Sequence, residues 1–198
     1  MKSMNQAYKK QVKTAFLIVF LFFLVAGVFL VIHFHKPKEV IDKEKIQVSF
    51  QSSDILTLKN TLPIADKLGM TLDGEGTEEG VQGYLEFSVK NLSDGVVDYD
   101  IALTRQDMSE KQISENYVKF FLTDMNDEAF DGFQGNLIPT FHDFSYISNK
   151  PSSKLLFSDS LSKKGEEKKY RLRVWLSDRY VISFDEEWFS VDVDVISK

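Results

Sequence analysis

No cysteine occurs anywhere in the 198 residues. That excludes a disulfide framework, a thiol nucleophile, thiolate metal sites and a lipidated N-terminal cysteine, so stability must come from packing alone. Histidine is almost as scarce. Of the three, His33 and His35 adjoin an apolar run, and His142 alone serves the rest of the chain. A zinc protease of the His-Glu-x-x-His type needs two histidines on one helix and is excluded. A Ser-His-Asp triad would have to be built around His142 with Asp143 or Asp159, and no Gly-x-Ser-x-Gly elbow accompanies them. Glycosidase chemistry needs only two carboxylates, but an abundance of acidic residues is not a signal for it. His142 is expected as a partly buried strand residue. The sequence reads as a non-enzyme without a cofactor.

Before Glu39 there is no acidic residue at all. What stands there is one uninterrupted apolar run from Ala15 to Ile32. At about 1.5 Å rise per residue such a run covers on the order of 27 Å, close to the hydrocarbon core of a bilayer. We read residues 14–35 as a transmembrane signal anchor with the lipid bilayer as its partner. Lys2, Lys9, Lys10 and Lys13 precede the run, whereas Lys36 and Lys38 are mixed with Glu39, Asp42 and Glu44 beyond it. Basic residues are retained on the cytoplasmic side, which puts the 1–13 tail inside and the long remainder outside. Cleavage after Val25-Ala26-Gly27 is the rival, and the apolar residues that continue past it favour retention. A type IV pilin needs a glutamate within this helix, so that reading falls. His33 and His35 are expected as interfacial rings rather than metal ligands.

The net charge of the whole chain is −6, and every acidic residue lies beyond the run, so the outer part is more negative still. A field of that sign repels nucleic acid and suits cationic partners, with calcium, another surface protein or a wall polymer as candidates. Residues 36–46 are charged and unpatterned and read as a solvated stalk under a domain at 47–198. Within that domain the period is two. Leu85, Phe87 and Val89 alternate with Tyr84, Glu86, Ser88 and Lys90, and Val97, Tyr99, Ile101 and Leu103 repeat the pattern after the turn residues Asn91–Gly95. This predicts a hairpin over 83–104. Further strands are expected at 47–51, 55–59, 116–123, 140–147 and 154–158, and one short helix at 106–114.

Tyr170, Leu172, Val174 and Leu176 alternate with Arg171, Arg173 and Trp175, as Phe189, Val191 and Val193 do with Trp188, Asp192 and Asp194. Paired antiparallel with Trp175 opposite Trp188, they would set Arg171 against Asp192 on a wet face. Trp175, Trp188, Arg171 and Arg173 are then the candidate surface contact, able to stack on sugars or anchor a partner. Asp124, Asn126 and Glu128 stand at the first three spacings of an EF-hand loop and are the candidate calcium ligands. Ala129 occupies the glycine position of that motif and Gly135 replaces its closing glutamate, so the match is partial. The acidic Asp73–Gly80 stretch lacks the lysine of a phosphate loop and reads as a connection. Short strands, regular turns and little helix predict an all-β antiparallel sandwich, immunoglobulin-like or jelly-roll in type.

At Leu62–Gly69, Gly83–Asn91, Tyr117–Asp124 and Tyr170–Asp178 the chain resembles a family of exported proteins from low-GC Gram-positive bacteria, which carry one N-terminal hydrophobic segment and one β-sandwich. The likeness spans most of residues 55–196 and consists of strand patterns, so no functional residue is carried over. More distantly the layout is similar to the TasA and camelysin group of surface proteins, whose members form matrix fibres by donating a strand. That resemblance implies an alternative, a secreted fibre subunit cleaved near Gly27 with a donor strand from residues 36–51. A carbohydrate-directed binder or hydrolase using Trp175 and Trp188 is the third reading.

Overall fold

The structure is a computed structural model that describes the backbone of residues 38–42 and, with side chains, residues 45–73, 83–106, 111–135, 137–148, 150–182 and 187–198. The 1–13 tail, the apolar run with His33 and His35, and most of the Asp73–Gly80 stretch lie outside the described residues. Among the described residues no helix is long and apolar enough to cross a membrane.

Period-two patterning yields ten strands: β1 Lys38–Asp42, β2 Ile46–Phe50, β3 Ile55–Lys59, β4 Gly83–Asn91, β5 Val97–Arg105, β6 Val118–Thr123, β7 Tyr146–Ile147, β8 Lys150–Leu161, β9 Glu167–Leu176 and β10 Trp188–Ser197. They form two antiparallel sheets, one in the order β1-β2-β4-β9-β6 and the other β3-β10-β5-β8-β7. The chain is therefore all-β, as the patterning predicts, and the arrangement is that of a sandwich. Segment 36–46, expected as a stalk, instead supplies β1, which pairs with β2 from Lys38↔Phe50 to Asp42↔Ile46.

The strands that form the core turn one face inward. Ile46, Val48 and Phe50 of β2, Leu85, Phe87 and Val89 of β4 and Leu172, Val174 and Leu176 of β9 meet Leu56, Leu58, Ile101, Leu103, Phe189, Val191 and Val193 of the other sheet in one core. Burying a large apolar side chain contributes about 1.5–3 kcal/mol, which is how a chain without disulfides holds together. Phe120 and Phe189 face each other across the layers at 6.3 Å, with Phe141 5.2 Å from Phe189. Polar contacts also cross the core. Tyr99 of β5 donates to the hydroxyl of Tyr170 of β9, and Tyr170 donates to Asp159 at 2.7 Å. Burial pushes both phenols well above their ordinary range.

Two predicted pairings are corrected. β4 lies between β2 and β9 and β5 between β10 and β8, so 83–104 is an arch from one sheet to the other rather than a hairpin. Buried Asn91 shapes that arch, its amide donating to the carbonyl of Gly95 at 2.8 Å while its oxygen accepts the Ser93 N–H at 2.8 Å. β9 and β10 likewise belong to different sheets. Arg171 faces Glu86, not Asp192, and Trp175 faces Lys119, not Trp188. Alternation says which side of a strand is buried but not which strand sits beside it. Of the helix expected at 106–114, the described end is extended, Gln112 bridging Trp188 in parallel. A one-turn helix does form at Asp66–Gly69.

Candidate functional site

On the outer face of the first sheet, register sets Tyr84 beside Arg173 and Arg173 beside Phe121, with Glu86, Arg171 and Thr123 in the next row. Two connections lie over this face. Segment 61–73 covers Trp175 with the Asp66–Gly69 turn, and the loop after β6 brings Asp127 above both arginines. That loop is shaped by Asp124, whose carboxylate accepts the N–H groups of Asn126 at 2.8 Å and Glu128 at 2.9 Å. The turn leaves Asp127 at φ 64°, a left-handed conformation that aspartate tolerates better than most residues.

Asp127 Oδ1 then accepts from Arg173 at 2.6 Å and from Arg171 at 2.9 Å. Arg171 also donates to Glu86 at 2.8 Å, and its guanidinium lies 4.9 Å from the Tyr84 ring. Nearly buried Arg173 is completed by the Leu72 carbonyl at 2.9 Å and the Thr123 hydroxyl at 3.2 Å. What remains open is a cleft of about 390 Å³ lined by Met70, Thr71, Asp73, Tyr84, Phe121, Asp127 and the two arginines. Hydrogen bonds from Arg173, reinforced by Arg171, hold the Asp127 carboxyl below its usual range. Partial burial acts to lower the pKa of Arg171, but Glu86 and Asp127 outweigh it and keep the guanidinium charged.

Of the four residues expected in one surface patch, only Arg171 and Arg173 share this cleft. Trp175 is 0% exposed, sealed beneath Gly69, so it is no stacking platform. Trp188 lies in the second sheet, with the Lys59 ammonium 3.8 Å above its ring. Of the calcium candidates, Asp124 accepts from the N–H groups of its own loop and from the Asn126 amide at 3.2 Å, and among the described residues no group of three or more His, Asp or Glu side chains that could hold a metal ion gathers. Backbone hydrogen bonds from Glu128 and Asn126 hold the Asp124 carboxyl low. His142 is exposed in a 3-10 turn at Phe141–Asp143 rather than part of a strand, and Asp143 caps Thr140 at 2.8 Å instead of orienting the imidazole. Sequence reading missed Tyr84, Phe121 and Asp127 as cleft residues and Glu86 as the partner of Arg171. The in-phase positions of Tyr84 and Glu86 were visible, but the neighbouring strand was not.

The lining offers guanidinium and aromatic faces with the Asp127 carboxylate held charged, a set suited to stacking and ion pairing. No known protein-family model matches the chain, and no curated protein matches it.

The depressed carboxylates fix the sign of the acid response. Asp124 and Asp127 titrate lower when folded than at their unfolded value of about 4, so in that range the unfolded chain binds more protons. Their contribution is complete above the unfolded value and is lost as pH falls through the folded one. The urea midpoint is expected to stay level from about pH 7 to 5 and to drop below about pH 4. Asp127→Asn is expected to flatten part of that acid limb. A midpoint that rises on acidification would contradict the ion-pair geometry.

Proposed function

We propose that the chain is a membrane-anchored cell-surface domain that binds rather than catalyses, held by residues 14–35 with its N-terminus cytoplasmic and its strands outside. The sandwich, immunoglobulin-like or jelly-roll in type, presents the Arg171–Arg173 cleft to another surface protein or a wall polymer. One observation carries this reading: Asp127 sits over both arginines as a stand-in anion. Its side chain is 58% exposed and enters from a surface loop, so a partner's carboxylate can take its place without unfolding a strand. Tyr84 and Phe121 then supply the apolar contact, since guanidinium and aromatic faces combine charge with stacking.

The fibre reading draws its donor from residues 36–51. Here Ile46, Val48 and Phe50 of that segment fill the chain's own core, so exchange would first have to empty it. The test of the surface reading has two parts. Protease added to intact cells is expected to release a fragment containing the strands; release only after lysis removes the surface reading. A photo-crosslinking residue at position 84 is expected to give one discrete adduct on intact cells that Arg171→Met abolishes. A smear indifferent to Arg171 would remove the cleft as the contact.

A further inference from the structure

At the end of the sandwich where β9 finishes and β10 begins, apolar side chains stand in solvent. Leu62 is 69% exposed, Val181 85% and Ile182 58%. Backbone bonds hold them together: the Ile64 N–H donates to the Leu176 carbonyl at 2.9 Å and the Tyr180 N–H to the Ser177 carbonyl at 2.9 Å. Between them opens a cavity of about 230 Å³ whose lining includes Thr61, Leu62, Ile113, Leu176, Ile182 and the carboxylate of Glu187. Thr61 Oγ1 is buried there without a hydrogen-bond partner. Lys67 and Arg179 are exposed in the same two segments, with the exposed Asp178 beside Arg179.

The length of the chain before β1 points to what covers this end. The apolar run closes at Ile32 and β1 opens at Lys38, so residues 33–37 permit a separation of at most about 20 Å. Lys38 is level with Phe50, Phe87 and Tyr170 across the first sheet. From Tyr170, β9 continues to Leu176 for on the order of 20 Å toward the apolar end, while β1 runs the opposite way. The chain thus enters the first sheet from the side of the apolar end, after a connection whose greatest covalent reach is of the same order as that distance.

We propose that this end of the sandwich is a lipid-docking surface, in which Leu62, Val181 and Ile182 enter the headgroup boundary of the bilayer and Lys67 and Arg179 meet headgroup phosphates. It rests on the anchor reading above. Exposed apolar side chains settle into this boundary by the area they bury, here with Lys67 and Arg179 set against Asp178 and Glu187 at the rim, and the unpartnered Thr61 hydroxyl gives the cavity a polar point for a headgroup or its water.

A chain without native cysteine allows single-site labelling. Val181→Cys and, at the far end after Asn91, the exposed Val96→Cys are labelled with an environment-sensitive fluorophore in the full chain. Both are reconstituted in vesicles of phosphatidylethanolamine and phosphatidylglycerol carrying a nitroxide high on the acyl chain. Fluorescence at position 181 is expected to fall about twofold or more, and at 96 to stay unchanged. Flotation of the protein with the vesicles and no quenching at 181 overturns docking and leaves the anchor standing. Failure to float overturns the anchor and docking together. A blue shift at 181 that depends on protein concentration, without quenching by the nitroxide, assigns the patch to a second copy and overturns docking on lipid.

Discussion

Glu115→Gln is expected to destabilise the domain by about 3–5 kcal/mol, the cost of stranding a buried cation. The Lys154 side chain is 3% exposed, and its ammonium reaches Glu115 Oε2 at 2.9 Å. It also donates to the Phe141 carbonyl at 2.9 Å and stands over the Phe141 and Tyr146 rings at 4.6 and 5.0 Å. Glu115 Oε1 meanwhile accepts from Arg105 at 2.9 Å. One carboxylate therefore serves two cations on two strands. Burial acts to raise the Glu115 pKa, but hydrogen bonds from Lys154 and Arg105 outweigh it and hold the carboxyl low. Gln keeps the shape and removes the charge, leaving Lys154 with carbonyls and ring faces only. Lys154→Met should be far milder, because it removes the buried charge together with its demand for a partner, and the two substitutions combined should cost less than their sum. Urea denaturation of the four proteins measures this. A loss below about 1 kcal/mol for Glu115→Gln would show that the pair is solvated.

Gly69→Ala is expected to unlatch the segment that covers Trp175. An ideal Cβ at position 69 would stand 2.2 Å from two ring carbons of Trp175 and 2.6 Å from its Nε1. The ring has no retreat. It is fully buried, its N–H donates to Asp66 at 3.3 Å, and Asp66 is held by Lys119 at 2.5 Å. Overpacking of this kind costs about 1–3 kcal/mol, here against a rigid, buried indole ring rather than the far end of a flexible side chain. Helix propensity alone predicts the opposite sign, since Ala in place of Gly favours a helix by about 0.5–1 kcal/mol. The two explanations are separated by the direction of the urea midpoint, and a red-shifted tryptophan emission should accompany the loss. A midpoint that rises would mean that the turn does not rest on the indole.

The buried face of most strands was legible in the residues themselves. Strand 55–59 falls where its alternation puts it, and Leu85, Phe87 and Val89 point inward as their phase requires. What the residues did not show was adjacency. Arg171 was set opposite Asp192, but Glu86 satisfies the rule of opposite charges across a strand equally well, and the sheet pairs it with Glu86. The wet face assigned to Trp175 failed for a related reason. Period two gives the outer side of β9, but not that Gly69 would lie against it, because the four-residue helix at Asp66–Gly69 is too short to leave a periodic signal. Asp127 was invisible as a cleft residue, since nothing in Asp124–Glu128 says over which strand the loop will fold. The spacing read there as a calcium loop also serves loop capping, Asp124 accepting the N–H groups two and four residues on.

The strand order carries a consequence for the way the chain reaches this form. Among the described strands only β1–β2 and β7–β8 join neighbours within a sheet, and β3 borders β10 alone, a strand made more than a hundred residues later. Closing long loops is an entropic cost met before any contact rewards it, and topologies of this kind acquire their structure in milliseconds to seconds. As the polypeptide is synthesised, Leu56 and Leu58 must wait for Phe189 and Val191 to appear.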